Sequence, residues 1–114
     1  GNMRIFVSGP ISAPTESEII ANAEIAQHIA YELIKKGHVP FIPHLSVYTS
    51  YRDKISYEEW LAYDDVWLRQ CEALFFIEES SGANRELSRA REWGLQVFYN
   101  LDEVPDIRME VENE

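Results

Sequence analysis

A chain of 114 residues, 46% hydrophobic and 12% aromatic, has the size of one domain with its own core and is too apolar for a disordered segment. A net charge of −10 with no cluster of Lys or Arg argues against nucleic acid polymers as partners, because that binding rests on phosphate neutralisation. The single cysteine, Cys71, excludes an internal disulfide and fits a reducing compartment. No apolar run is long enough to span a bilayer and no signal-peptide pattern opens the chain, so a cytoplasmic location without membrane contact is expected. Gly1-Asn2, ahead of Met3, is expected to be extraneous to the fold.

Arg4 to Ser8 is a first strand closing on the turn signal Gly9-Pro10. A helix opens between Pro14 and Glu18, with Thr15 or Ser17 as its cap. It carries an apolar stripe of Ile19, Ala23, Ala26, Ala30 and Leu33 and ends at Lys35-Lys36-Gly37. His38 to Ile42 is a second strand, stopped by Pro43, and Leu45 to Ser56 is a polar and aromatic loop long enough to be functional. Tyr57 to Cys71 reads as a helix, Ala73 to Ile77 as a buried strand, Ser80 to Glu86 as a turn entering a helix that runs to Gly94, and Leu95 to Tyr99 as a fourth strand. This β-α-β-α-β-α-β order predicts an α/β three-layer sandwich, Rossmann-like or flavodoxin-like, with at least four parallel strands in the order 2-1-3-4. The domain is expected over residues 3–101. Residues 102–114, with six acids and one Arg, are expected to be a solvated acidic tail or a short element that docks on a partner subunit.

Two acids conflict with the helical pattern around them. The stripe Tyr57, Trp60/Leu61, Trp67/Leu68 and Cys71 has Asp64 in its middle, whereas Asp65 points away and reads as a surface charge. Ala83, Glu86/Leu87, Ala90 and Trp93 likewise form one face that turns Glu86 inward, at the carboxyl edge where open α/β sheets place ligands. Each acid alone has a structural reading, Asp64 as a bond to a loop backbone and Glu86 as a helix-dipole carboxylate. Together, on elements flanking one strand, they are the equipment of glycosidic bond cleavage, one carboxyl as nucleophile and one as proton donor. Gly9-Pro10-Ile11-Ser12 and the Ser80–Gly82 turn could approach a ligand through backbone N–H groups and hydroxyls, and His44 ends the second strand on the same edge. Tyr48, Tyr51, Tyr57, Trp60 and Trp67 could stack a base, with core packing the competing use of the tryptophans. His28 and His38 lack metal-ligand spacing with each other or with Cys71, so neither a metal nor a cofactor is expected.

The strand ending Val7-Ser8-Gly9-Pro10-Ile11, the Asp64…Leu68…Cys71-Glu72-Ala73 spacing and Ser80-x-Gly82-x-x-x-Glu86 resemble the nucleoside 2-deoxyribosyltransferase superfamily. The likeness is to its small members such as the 2′-deoxynucleoside 5′-phosphate N-hydrolases, and it covers about Met3 to Tyr99. The resemblance implies retaining chemistry at the N-glycosidic bond of a small nucleoside or nucleotide, by hydrolysis or transfer, in a homodimer. It makes Glu86 the nucleophile and Asp64 the group that protonates the departing base. It places Phe6, Gly9, Pro10, Ile11, Ser12, His44, Ser80 and Gly82 around the substrate. Relatives carry at the position of Phe6 a Tyr whose hydroxyl orients the nucleophile, and at Pro10 and Ser12 a Ser and an Arg that bind phosphate. Arg85 or Arg89 could replace that Arg, or the substrate is a free nucleoside. The alternative to an enzyme is a non-catalytic nucleotide-binding module of the same fold. An interaction protein acting through its acidic tail is the third reading.

Overall fold

The computed structural model describes residues 1–45 and 53–108. Tyr48, Tyr51 and residues 109–114 of the acidic tail lie outside them. Strand β1 (Arg4–Ser8) leads to helix α1 (Glu16–Lys35), strand β2 (Val39–Phe41), helix α2 (Tyr57–Arg69), strand β3 (Ala73–Phe76), helix α3 (Ser81–Glu92) and strand β4 (Gln96–Phe98). All strands pair in parallel in the order β2-β1-β3-β4, as the sequence pattern predicts. In the register of the centre, Phe6 lies opposite Phe41 and Leu74, and Ser8 opposite Phe76.

Local chemistry sets the helix starts. Thr15 caps α1 by accepting from the Glu18 N–H at 3.3 Å, ahead of an acidic first turn. Ser56 and Glu59 form a reciprocal capping box on α2, at 3.1 and 3.0 Å. Ser80 caps α3 by accepting from the Ala83 N–H at 3.1 Å.

Alternation along β1 divides the core. Ile5 and Val7 face α1 and pack with Ala26, Leu33, Ala73, Phe75 and Phe98. Phe6 faces the opposite way and packs with Leu68 of α2, Leu74 and Ala90 of α3. The sheet thus lies between α1 on one face and α2 with α3 on the other.

The domain does not end at residue 101. After a 3₁₀ turn at Leu101–Glu103, Val104 and Ile107 are buried, Val104 within the α1-side core. The Ile107 N–H donates to the Lys36 carbonyl at 3.0 Å. His38 is the clasp: its Nδ1 accepts from the Met3 N–H at 3.1 Å and its Nε2–H donates to the Pro105 carbonyl at 2.7 Å. One helix leaves part of that face open, and two apolar residues in an acidic segment close it. Gly37, at φ +96°, is where a Cβ would stand 2.7 Å from the Ile107 side chain, so glycine is required there twice over.

The aromatic residues of α2 differ from expectation as well. Only Asp64 and Leu68 are buried on this helix. Trp67 is 44% exposed, stacked on Phe41 with ring centroids 5.2 Å apart, and Trp60 meets Tyr63 edge-on at 5.5 Å. Stacking on an edge strand covers one side of an indole and leaves the other in water.

Candidate active site

A cavity of about 240 Å³ opens at the carboxyl edge of the sheet. Its walls are the turn after β1 (Gly9, Ile11, Ser12), the turn into α3 (Ser80 to Ala83, with Glu86), the α2 face carrying Tyr57, Trp60, Leu61 and Asp64, and Pro43. The chain leaves β1 and β3 toward opposite ends of the sheet, so this is the switch-point crevice of an open α/β fold.

Glu86 lies one turn into α3 and is 5% exposed. The Ser8 hydroxyl donates to its Oε1 at 2.6 Å. Burial pushes the Glu86 carboxyl up to about 8, with the nearby Asp64 adding to the rise, while the Ser8 bond works in the opposite direction by favouring the charged form. Asp64 is 8% exposed, and its Oδ1 is buried with no hydrogen-bond partner among the described residues. Burial, assisted by the charge of Asp65, raises its carboxyl to about 6. Among the described residues the Asp64 Oδ1 makes no bond to a loop backbone. A buried carboxyl oxygen without a donor is costly unless protonated or met by a ligand. Both acids line one cavity and both carboxyls are raised, Glu86 further than Asp64, so the pair is disposed to keep one proton after the first is lost.

Seven of the ten site residues expected from sequence line this cavity: Gly9, Ile11, Ser12, Asp64, Ser80, Gly82 and Glu86. Phe6, Pro10 and His44 do not. Phe6 is fully buried in the core with its ring centroid 5.6 Å from that of Phe41. His44 is 1% exposed, and its Nε2–H donates to the Pro10 carbonyl at 3.1 Å, bracing the turn from behind. Burial lowers the imidazole to about 4, so it is neutral at ordinary pH and offers no charge to a ligand.

Glycine serves two purposes at the rim. A Cβ on Gly9 would stand 3.0 Å from the Ile77 Cβ, so close strand packing requires glycine there. A Cβ on Gly82 would meet only the Tyr57 hydroxyl, at 3.8 Å, so the protein's own packing does not require it. Gly82 keeps the first turn of α3 bare, where N–H groups have no intrahelical acceptor.

Asp65 is not a free surface charge. It takes a bidentate pair from Arg85 at 2.9 and 2.7 Å across α2 and α3, and Arg89 Nε approaches it at 3.9 Å. Both arginines are thereby directed at Asp65, and neither lines the cavity. Helical spacing shows that Asp65 leaves the core, but not that a neighbouring helix supplies its partner. Ser8 is the site neighbour that the sequence reading passes over; strand alternation marks it as lying on Phe6's face, and only the packing of α3 brings Glu86 to it.

The matched family model runs from residue 5 to residue 100. The chain belongs to the domain-of-unknown-function family DUF7768. Every residue lining the cavity falls inside that span. No curated protein matches the chain. Among the described residues no group of three or more His, Cys, Asp or Glu is placed to hold a metal ion, and no helix is long and apolar enough to cross a membrane. The Cys71 thiol, raised to about 11 by burial, donates to the Trp67 carbonyl at 3.3 Å and is a poor nucleophile.

Proposed function

We propose that this protein cleaves or transfers at the N-glycosidic bond of a 2′-deoxynucleoside or its 5′-monophosphate, through a covalent glycosyl–Glu86 intermediate. One observation carries the reading: a buried glutamate held by a hydroxyl shares a cavity with a buried aspartate whose Oδ1 has no partner among the described residues. The motif resemblance of the Val7–Ile11, Asp64–Ala73 and Ser80–Glu86 segments supports the same chemistry.

In the reactive state the pair's single proton sits on Asp64. The Glu86 carboxylate attacks C1′ as the C1′–N bond breaks; the bonding electrons leave with the base, which takes the Asp64 proton. Water or a second base then attacks C1′, Asp64 accepts the O–H or N–H proton that the acceptor releases, and Glu86 leaves as a carboxylate. A 2-deoxy sugar suits this course, because no electron-withdrawing 2′-hydroxyl opposes the oxocarbenium-like charge that ionised Glu86 stabilises. Singly protonated acids make a bell-shaped pH dependence of kcat/KM the expected profile, with limbs near 6 and 8.

The second reading is a binding module without turnover. It is favoured by Glu86 itself, which near neutral pH holds a proton in the free protein and in that form does not attack. Incubation with each common deoxynucleoside and its monophosphate, followed by chromatography for free base, separates the two. Base release supports the enzyme. Calorimetric binding with no release rejects it and supports the module.

The proposal extends to a cytoplasmic homodimer. The exposed side of α2 that carries Tyr63, Val66 and Trp67 is the surface available for a second copy. A monomeric mass at micromolar concentration would remove that part.

A further inference from the structure

We propose that Ser8 is the positioning residue of the Glu86 nucleophile, fixing its Oε1 through one hydroxyl and so leaving Oε2 as the attacking oxygen; this rests on the glycosidic reading above. Ser8 is the last residue of β1 and is fully buried. Its backbone is held by pairing opposite Phe76 and by its carbonyl, which accepts from the Ile77 N–H at 2.8 Å. Strand alternation sends its side chain to the α2 and α3 face, two residues beyond Phe6.

A fully buried hydroxyl on the Phe6 face of the sheet is not explained by packing, since burying it without a partner costs free energy. Among the described residues its one side-chain partner is Glu86, to which the hydroxyl donates over a short 2.6 Å. Ser8 is also the only side chain bonded to Glu86 there, and it reaches one of the two carboxylate oxygens. Phe6 cannot serve, having no hydroxyl and a ring packed on Phe41. In this chain the hydroxyl beside Glu86 is supplied two residues beyond Phe6 along β1.

The device also affects the proton. A donor on Oε1 favours ionised Glu86 and so favours the arrangement in which the pair's proton sits on Asp64. Removing it makes that arrangement rarer and makes the last proton of the pair harder to lose. One cause then has two linked effects: a lower plateau of activity and an alkaline limb moved to higher pH.

The test is Ser8→Ala beside Ser8→Thr, with folding checked by thermal denaturation. For Ser8→Ala, kcat for base release is expected to fall ~10- to 100-fold, the range one hydrogen bond to a charged group spans, with KM within about threefold. The alkaline limb of the pH profile should rise by about one to two pH units. Ser8→Thr, which keeps the hydroxyl, should restore both. An unchanged plateau overturns the proposal, as does a lowered plateau with an unmoved limb, which marks a structural loss. A carbon-detected NMR titration of the Glu86 carboxyl needs no turnover. It should move upward in Ser8→Ala, and an unmoved titration overturns the proposal whether or not the protein is an enzyme. Base release that survives Glu86→Gln instead condemns the glycosidic reading itself.

Discussion

The two faces of this sheet are built from the same strands and do different things. Toward α1, Ile5, Val7, Ala73, Phe75 and Phe98 meet Ala26 and Leu33, and Val104 completes an all-apolar layer. Toward α2 and α3, Phe6, Leu68, Leu74 and Ala90 make a smaller layer that gives way at the carboxyl edge to Ser8, Asp64 and Glu86. One face contributes stability through burial. The other gives up some of it to hold two acids out of water.

Glu86→Gln should break the contrast most sharply. Turnover should fall by on the order of a thousandfold or more, measured as free base. The protein should at the same time become more stable. A carboxyl whose folded pKa is raised from 4.5 to about 8 binds more protons folded than unfolded between those values. Stability therefore falls as pH rises through that window, by up to a few kcal/mol once both limits are passed. Urea denaturation at pH 5 and pH 9 checks the sign: the Gln variant should gain little at the lower pH and most at the higher. Equal gains at both would show that ionisation of Glu86 is not the cause.

On the opposite face the expected trade is reversed. Leu33→Ala removes a fully buried side chain from the α1-side core and should cost about 2–5 kcal/mol. The molecules that remain folded should keep their kcat, measured well below the melting temperature. A kcat that fell with stability would mean that the two layers are mechanically coupled.

The smallest effect comes from Gly82→Ala. The added methyl has room in the protein and removes a helical glycine, so stability should be unchanged or higher by up to ~1 kcal/mol. If a ligand lies against the first turn of α3, KM should nonetheless rise severalfold. An unchanged KM would place the ligand elsewhere in the cavity.

The inward turn of Asp64 and Glu86 was legible in the sequence because each is a periodicity read within one element, and the parallel sheet because strands and helices alternate along the chain. Ser8 was not, since alternation gives a face but not the neighbour waiting on it. The Arg85–Asp65 pair escaped for the same reason, being a contact between helices whose angle no local pattern states. His44 reads as the end of a strand beside the ligand, and its turn away from the cavity depends on the path of the turn through Pro10. Val104 and Ile107 were hidden by composition: six acids in thirteen residues outweigh two apolar positions until the open end of the α1 layer is seen.

The His38 clasp bears on how the molecule comes apart. One imidazole holds the backbone entering β1 and the backbone leaving the 3₁₀ turn, and Ile107 is bonded to the residue that ends α1. Neither stretch can fray without loosening the other, although ends are ordinarily where opening begins. The amide hydrogens of Met3 and Ile107 should consequently exchange together, and residues 101–107 should unfold with the sheet instead of ahead of it.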